Sequence, residues 1–290
     1  MMGTRAAFRQ MLREPGEIVI PEATIPGIAR LVETMGFPAI YCGGYSTSAL
    51  GFAIPDHGLV TTSELADSAR RIVDVVNIPV ICDADQGGET VLNVSRTTRL
   101  FERAGVAAIH IEDSRNPKHM YRDDALVSKQ ELVDRVKAAL DARTDPDFVV
   151  IARTDVMFNQ GEVDEVIERG IACREAGADM YFVCLLPGEH IDRVAREVGL
   201  PIMDIGHPGA SPETQAGLKL KVWAGLLIRG IVMGAHAMLT QLQREGKMDL
   251  VGGETYGFAG RGAEGIMDKV LREKEYHEHI DRLSNPGKRG

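Results

Sequence analysis

The stretch VICDADQGGE, residues 80–89, is where the reading of this chain begins. Val80, Ile81 and Cys82 form a short apolar run with turn signals on both sides, the pattern of a buried strand in a parallel sheet. Asp83 and Asp85 then fall at the C-terminal end of that strand. Two carboxylates are costly to bury unless a cation or hydrogen-bond donors meet them, so the pair suggests a hard divalent metal held by oxygen ligands. The same spacing also caps a following helix or closes a turn, and the pair alone does not decide between these uses.

Working outward, similar apolar runs occur at 18–20, 39–42, 107–111, 148–152, 180–183 and 201–203, with a less distinct one within 226–233, making eight in all. Between them lie segments of helical period, among them 62–76 and one opened by Ser128 with Glu131 three residues on, a capping box. Gly105 and Gly177 each fall at a helix end just before a strand. Eight alternating β and α units predict an α/β fold, a (β/α)8 TIM-type barrel over residues 1–245. The glycine-rich stretch from 246 and the charged helix at 266–283 predict a C-terminal helical arm over 246–290. It either packs on its own barrel or is exchanged with a neighbouring subunit.

Barrel enzymes work at the C-terminal ends of their strands. That rule selects Glu22, Tyr41 with Gly43-Gly44-Tyr45-Ser46, Asp83 with Asp85, Glu112 with Asp113, Arg153 with Asp155, and His207. So many charges converging on one mouth favour a functional site over a structural ion network. The net charge of −9 and the acidic isoelectric point of about 5.4 argue against nucleic acid or an anionic membrane as partner. An anionic substrate must therefore be met by a local positive site.

The four cysteines have no C-x-x-C spacing and most sit in apolar runs, as reduced thiols do. With Arg5, Arg9 and Arg13 near the N-terminus and no apolar segment between them, a cytoplasmic protein is expected. Residues 34–54 carry no charge, but Pro38, Gly43, Gly44 and several hydroxyl side chains interrupt the run too heavily for a membrane span.

Five motifs occur in register along the strand ends: Tyr41-Cys42-Gly43-Gly44, Pro55-Asp56-His57-Gly58, Asp83-Ala84-Asp85, His110-Ile111-Glu112-Asp113 and Ile151-Ala152-Arg153-Thr154-Asp155. With them the chain resembles the isocitrate lyase and phosphoenolpyruvate mutase superfamily over residues 5–245. The resemblance implies action on a small 2-oxo or 2-hydroxy acid through a Mg2+-bound enolpyruvate-type intermediate, in a homo-oligomer, dimer or tetramer. By position, Asp83 and Asp85 would hold Mg2+ (or Mn2+), with Asp56 and Glu112 supporting it through waters. Arg153 and the backbone of Gly43, Gly44 and Tyr45 would hold the substrate carboxylate. Arg153, Tyr41 and His236 would carry the chemistry, with His236 orienting a distal carboxylate or donating a proton, and a structural place on a closing helix as its alternative. A chelated cation stabilises the enolate left by bond breaking, and arginine supplies the two-point geometry a carboxylate requires.

The departures select the branch. Lyases of the superfamily carry a cysteine in the loop after Glu112-Asp113, whereas this loop reads Ser114-Arg115-Asn116-Pro117-Lys118-His119-Met120-Tyr121-Arg122. A glutamate on a later lyase strand is replaced by Cys184. The asparagine that phosphonate-processing members place after Pro-Lys is not supplied either. The oxaloacetate decarboxylase branch lacks the same cysteine and glutamate and has a histidine resembling His236. Decarboxylation needs no base to begin, since CO2 departs and only a proton donor is required afterwards. His119 and Tyr121 either supply that proton from a closing loop or are solvated, and Tyr45 and His207 have packing as the alternative to a catalytic role. Cleavage of a 2-alkylmalate or methylisocitrate-like acid, phosphonopyruvate chemistry, and an inactive barrel subunit are the competing functions. Retention of Asp83, Asp85, Glu112 and Arg153 together weighs against the last.

Overall fold

A computed structural model of the chain describes residues 3–120, 125–159, 161–205, 217–247 and 265–284. Eight strands, β1 (Ile18–Pro21), β2 (Ile40–Cys42), β3 (Val80–Asp83), β4 (Ala108–Glu112), β5 (Val149–Thr154), β6 (Met180–Val183), β7 (Ile202–Ile205) and β8 (Leu218–Trp223), pair in parallel. Their order is β1-β8-β7-β6-β5-β4-β3-β2, and β1 meets β2 at a single bridge, Glu22 to Tyr41, beside a 2.8 Å bond from Ala23 N–H to the Tyr41 carbonyl. The fold is thus a nearly closed (β/α)8 barrel.

Helix α1 (Thr4–Arg13) precedes β1, and α2 (Pro26–Thr34), α3 (Thr62–Val73), α4 (Val91–Ala104), α5 (Lys129–Ala142), α6 (Val163–Ala176) and α7 (Ile191–Val198) alternate with the strands. The start signals act as the sequence implies, with one difference. Thr61 and Glu64 form a reciprocal capping box on α3. Ser128 accepts from the Glu131 N–H at 3.1 Å on α5, but the Glu131 carboxylate turns to Arg135, so only half of that box forms. Gly105 and Gly177 end α4 and α6 at φ +88° and +98°, a region other residues enter only under strain.

Two apolar layers separate the sheet from its helices, and a third fills the barrel, where Ile20, Ile81, Ile151, Phe182 and Leu220 interdigitate with Phe8 of α1. Phe8 is fully buried, and α1 is tied down by Arg5 on Asp145 at 2.8 Å and Arg9 on Asp179 at 2.6 Å. The N-terminal end of the barrel is thereby stoppered, and the mouth at the C-terminal strand ends is left for the chemistry.

One strand prediction needs correcting. The eighth strand is 218–223 rather than part of 226–233, which is the start of α8 (Leu226–Glu245). LKLKVW hides its strand character because Lys219 and Lys221 alternate with the apolar residues. Both lysines are nonetheless buried, and Lys219 donates to the Gly16 carbonyl at 2.8 Å and to that of Glu14. Helix α8 has no buried residue along its 20-residue length and exposes Val232, Met233, Leu239 and Leu242. Among the described residues no helix is long and apolar enough to cross a membrane. Of the arm, α9 (Ile266–Leu271) lies against α2, with Arg272 3.4 Å from Glu33. The single helix expected at 266–283 is broken at Arg272, whose φ is +56°, and continues as α10 (Glu273–Ser284).

Candidate active site

At the strand ends, a cavity of about 370 Å3 has Tyr41, Gly43, Gly44, Asp56, Asp83 and Arg153 among its lining residues. The chain reaches it through local devices at each strand. After β2 the backbone turns at once into one helical turn, Gly44–Ser46, and a π-helical turn, Thr47–Phe52. A Cβ at Gly43 would collide with the Glu22 carboxylate, and one at Gly44 would come within 2.8 Å of Asp83 Oδ2, so only glycine allows this close approach. After β3, Asp85 takes a left-handed backbone (φ +48°) and donates its N–H to Asp83 Oδ1 at 2.8 Å, which turns the two carboxylates toward each other. A larger cleft of about 750 Å3 lies between the turn after α1 and α7, away from this cluster.

Arg153 is the hub. Its Nε and Nη2 take both oxygens of Asp155, at 2.7 and 3.0 Å. Its Nη1 lies 2.9 Å from Glu112 Oε2 and 3.5 Å from Asp83 Oδ2. Burial works against the charged guanidinium, but Asp155 and Glu112 outweigh it and keep the group ionised. Asp155 is fixed in turn by Asp113, which accepts from its N–H at 2.8 Å and from Arg169 at 3.2 Å.

Lys118 is the second cation. Its fully buried ammonium reaches Asp56 Oδ1 at 3.0 Å and bonds Asp85 Oδ1. Burial disfavours its charge, yet Glu112, Asp85, Asp83 and Asp56 together raise its pKa well above the usual value. Burial likewise would lift Asp83, but the Lys118 and Arg153 charges, joined by His110 only when that ring is protonated, hold it below the carboxylate range. Burial pushes Asp85 up to about 7 against the pull of Lys118, with Asp83 and Glu112 adding to the rise. Two neighbouring carboxylates are thus driven apart in acidity, as at sites that handle protons or cations. His110, its Nε2 2.9 Å from the Tyr41 hydroxyl, is pushed down to about 4 by burial and stays neutral.

The donor set fits a divalent cation. Glu22, Asp56, Asp83, Asp85, Glu112 and Asp155 face two permanent cations, Arg153 and Lys118. Glu112 Oε2 is buried without a hydrogen-bond partner among the described residues, despite its closeness to Arg153. Asp83, His110 and Glu112 can present ligand atoms within 4.8 Å of one another. Of these three, the two carboxylates suit a hard cation better than the imidazole.

The structure brings together Tyr41, Gly43, Gly44, Tyr45, Asp56, Asp83 and Arg153 at the cavity, with Asp85 and Glu112 directly behind them. Two expected contacts are already engaged: the Gly44 N–H donates to Asp83 Oδ2 at 3.1 Å, and the Arg153 fork grips Asp155. His236 is not brought to the site. It is exposed on α8, and only the residues preceding that helix reach the cavity. His207, Tyr121 and Arg122 lie outside the described residues. Lys118 is the residue that sequence reasoning passed over, although Pro117-Lys118 after Glu112-Asp113 was a usable signal. Gln86, which donates to Glu112 Oε1 at 3.2 Å, had none.

Comparison with known proteins agrees with the barrel fold. The family model described as phosphoenolpyruvate phosphomutase matches residues 8–245. A 2,3-dimethylmalate lyase of Eubacterium barkeri is 43% identical over 191 residues, 65% of this chain and 65% of that enzyme, so the match spans less than two thirds of the relative. An oxaloacetate decarboxylase of Pseudomonas fluorescens is 36% identical over 82% of this chain and 81% of its own length. The crystal structure of phosphoenolpyruvate phosphomutase from Streptomyces platensis subsp. rosaceus superposes with a TM-score of 0.85 at 28% identity, over 98% of this chain and all of that one.

Proposed function

The chain belongs to the phosphoenolpyruvate phosphomutase family, within the isocitrate lyase superfamily, and on that premise we propose that it releases CO2 from oxaloacetate or a 3-substituted relative in a Mg2+-dependent reaction. Asp83, Asp85 and Glu112, supported by Asp56, are the residues that would hold the cation. Bound there, it would supply Lewis-acid stabilisation of charge on the 2-oxo oxygen. Arg153 meets the substrate's C1 carboxylate with its remaining N–H groups, and its fixed place on Asp155 removes the need to reorganise during the reaction. The bond from C3 to the departing carboxylate breaks, its electron pair stays as the enolate, and a proton delivered to C3 completes a pyruvate-type product.

One observation carries this reading. The cavity wall at the end of β6 bears Cys184, a thiol that burial keeps protonated. A cavity with an enolate-stabilising end and, among the described residues, no base beside Cys184 suits the loss of CO2, which asks for little else. Retro-aldol cleavage of a 2-alkylmalate is the second reading, favoured by the likeness to the dimethylmalate lyase. The reading also includes a homo-oligomer, because the apolar side of α8 has no cover within the described chain.

Free Mg2+ decarboxylates oxaloacetate, so the test compares wild type with Asp85→Ala at equal Mg2+. Faster CO2 release by wild type alone is the expected result. Equal release by the two, with turnover of a 2-alkylmalate or phosphonopyruvate by wild type only, overturns it.

A further inference from the structure

Behind the strand ends, helices α5 and α6 repeat one device. Each pairs a glutamate with an arginine one turn on, Glu131 with Arg135 at 2.8 Å and Glu165 with Arg169 at 2.7 Å. Both arginines are buried, and both reach the end of β4. Arg135 Nη1 donates to the Glu112 carbonyl at 3.2 Å, and Arg169 Nη1 donates to Asp113 Oδ2 at 3.2 Å and to the Val127 carbonyl at 2.9 Å. Asp113, Arg135 and Arg169 are not among the described residues that line the cavity.

Asp113 is where two halves of the site meet. It is fully buried, follows Glu112 in the chain, and reaches across to β5. Its Oδ1 accepts the Asp155 N–H at 2.8 Å and its Oδ2 the Thr154 hydroxyl at 2.6 Å. Those two donors are neutral, and Arg169 is the cation that answers the buried carboxylate. Without it the charge is left uncompensated, and moving toward water and away from the Asp155 backbone relieves it. Asp155 in turn grips Arg153 through both oxygens, at 2.7 and 3.0 Å, so a shift of its backbone is carried to the guanidinium. Glu112 is held separately: it accepts from Gln86 at 3.2 Å, bonds the Ser114 hydroxyl, and has its carbonyl on Arg135.

We propose that Arg169 is a positioning residue for Arg153, acting through Asp113 and Asp155, so that a side chain of α6 outside the cavity sets how the guanidinium meets a substrate carboxylate. This rests on the reading of the cavity as a 2-oxo-acid site. The contacts run from Arg169 to Asp113 and from Asp155 to Arg153, joined in the middle by one backbone N–H. The consequence is a split. Losing Arg169 weakens carboxylate recognition and leaves cation binding in place, whereas a residue that only supported the barrel would disturb both.

The experiment is a double-mutant cycle read by isothermal titration calorimetry, with Mg2+ titrated alone and oxalate titrated at saturating Mg2+. Wild type is compared with Arg169→Met, Asp113→Asn and the double variant. Arg169→Met should bind oxalate about tenfold more weakly, and Mg2+ within about twofold of wild type. In the Asp113→Asn background the same replacement should change oxalate affinity by less than about twofold, because the carboxylate it serves is gone. If Arg169→Met does not fold, Arg169→Lys takes its place in the cycle; it keeps the charge and loses the fork, and a loss of about threefold is expected. No oxalate binding by wild type overturns the 2-oxo-acid site and this inference with it. Oxalate binding by wild type overturns the inference alone when the Arg169 variant binds as tightly, when its loss persists in the Asp113→Asn background, or when Mg2+ affinity falls equally.

Discussion

Replacing Lys118 with glutamine removes a fully buried ammonium that answers Asp56 and Asp85 directly. Taking one partner from a buried ion pair costs about 3–5 kcal/mol, because the remaining charge is left uncompensated. Asp85 can limit that loss by keeping a proton, since burial already holds its pKa up to about 7. The sign follows from linkage. A carboxylate raised in the folded state binds a proton there that the unfolded chain has lost, so stability falls as pH rises from about 4 to 7. In EDTA, Lys118→Gln should therefore be closer to wild type at pH 6 than at pH 8, where a loss of about 3 kcal/mol is expected. Urea unfolding followed by the fluorescence of Trp223, the single tryptophan, reports the transition. With a slope of about 3 kcal/mol per molar urea, the midpoint should drop by about 1 M at pH 8. Adding Mg2+ at a hundredfold excess over its dissociation constant should return about 2.7 kcal/mol to the variant. Wild type should gain less, because its ammonium already neutralises part of the cluster. An unshifted midpoint in EDTA, or equal gains from Mg2+ in both proteins, would refute the assignment of Lys118 as the counter-cation.

Arg153→Lys keeps the charge but loses the fork on Asp155, and kcat/KM should fall by about 100-fold or more while the urea midpoint moves less than for Arg153→Ala; steady-state kinetics beside unfolding curves check both. Asp204 is pushed up to about 7, first by burial, and one of its oxygens lacks a partner among the described residues. Its contribution to stability should be lost as pH rises from about 4 to 7, by at most about 4 kcal/mol, so Asp204→Asn should flatten that slope and be the more stable protein at pH 8. For α8, light scattering after size exclusion should give more than one chain per particle, and Leu239→Glu should reduce that mass; a monomeric wild type would contradict the oligomer reading.

Much of this architecture was readable because a parallel barrel hides its strands on both faces, leaving apolar runs such as 148–152 that local pattern alone reveals. The strand-end rule then brought Tyr41, Asp83, Glu112 and Arg153 to one mouth from four separate strands. Where the reading went astray, long-range contacts outweighed local pattern. Lys219 and Lys221 look solvent-facing, yet Lys219 is held by carbonyls 203 and 205 residues away. The apolar start of α8 resembles a core strand, but it is a helix whose apolar side faces outward. Lys118 sits in a polar loop whose sequence does not say which carboxylates the chain will fold around it.

The barrel closes along a single line, and that line borders the cavity. Between β1 and β2 the wall is held by the Glu22–Tyr41 bridge and the Ala23 hydrogen bond, while on its other side, toward the end of β8, Glu22 accepts the Gly225 N–H at 2.6 Å. A tube slit along one side twists far more easily than a sealed one, so torsion of this cylinder concentrates where Glu22 and Tyr41 face the cavity. An acid bound across both lips of the slit stitches it, and the amide of Ala23 would exchange with deuterium more slowly for as long as the ligand stays. Rate lost on replacing Glu22 therefore measures the stiffness of the wall together with the chemistry it encloses.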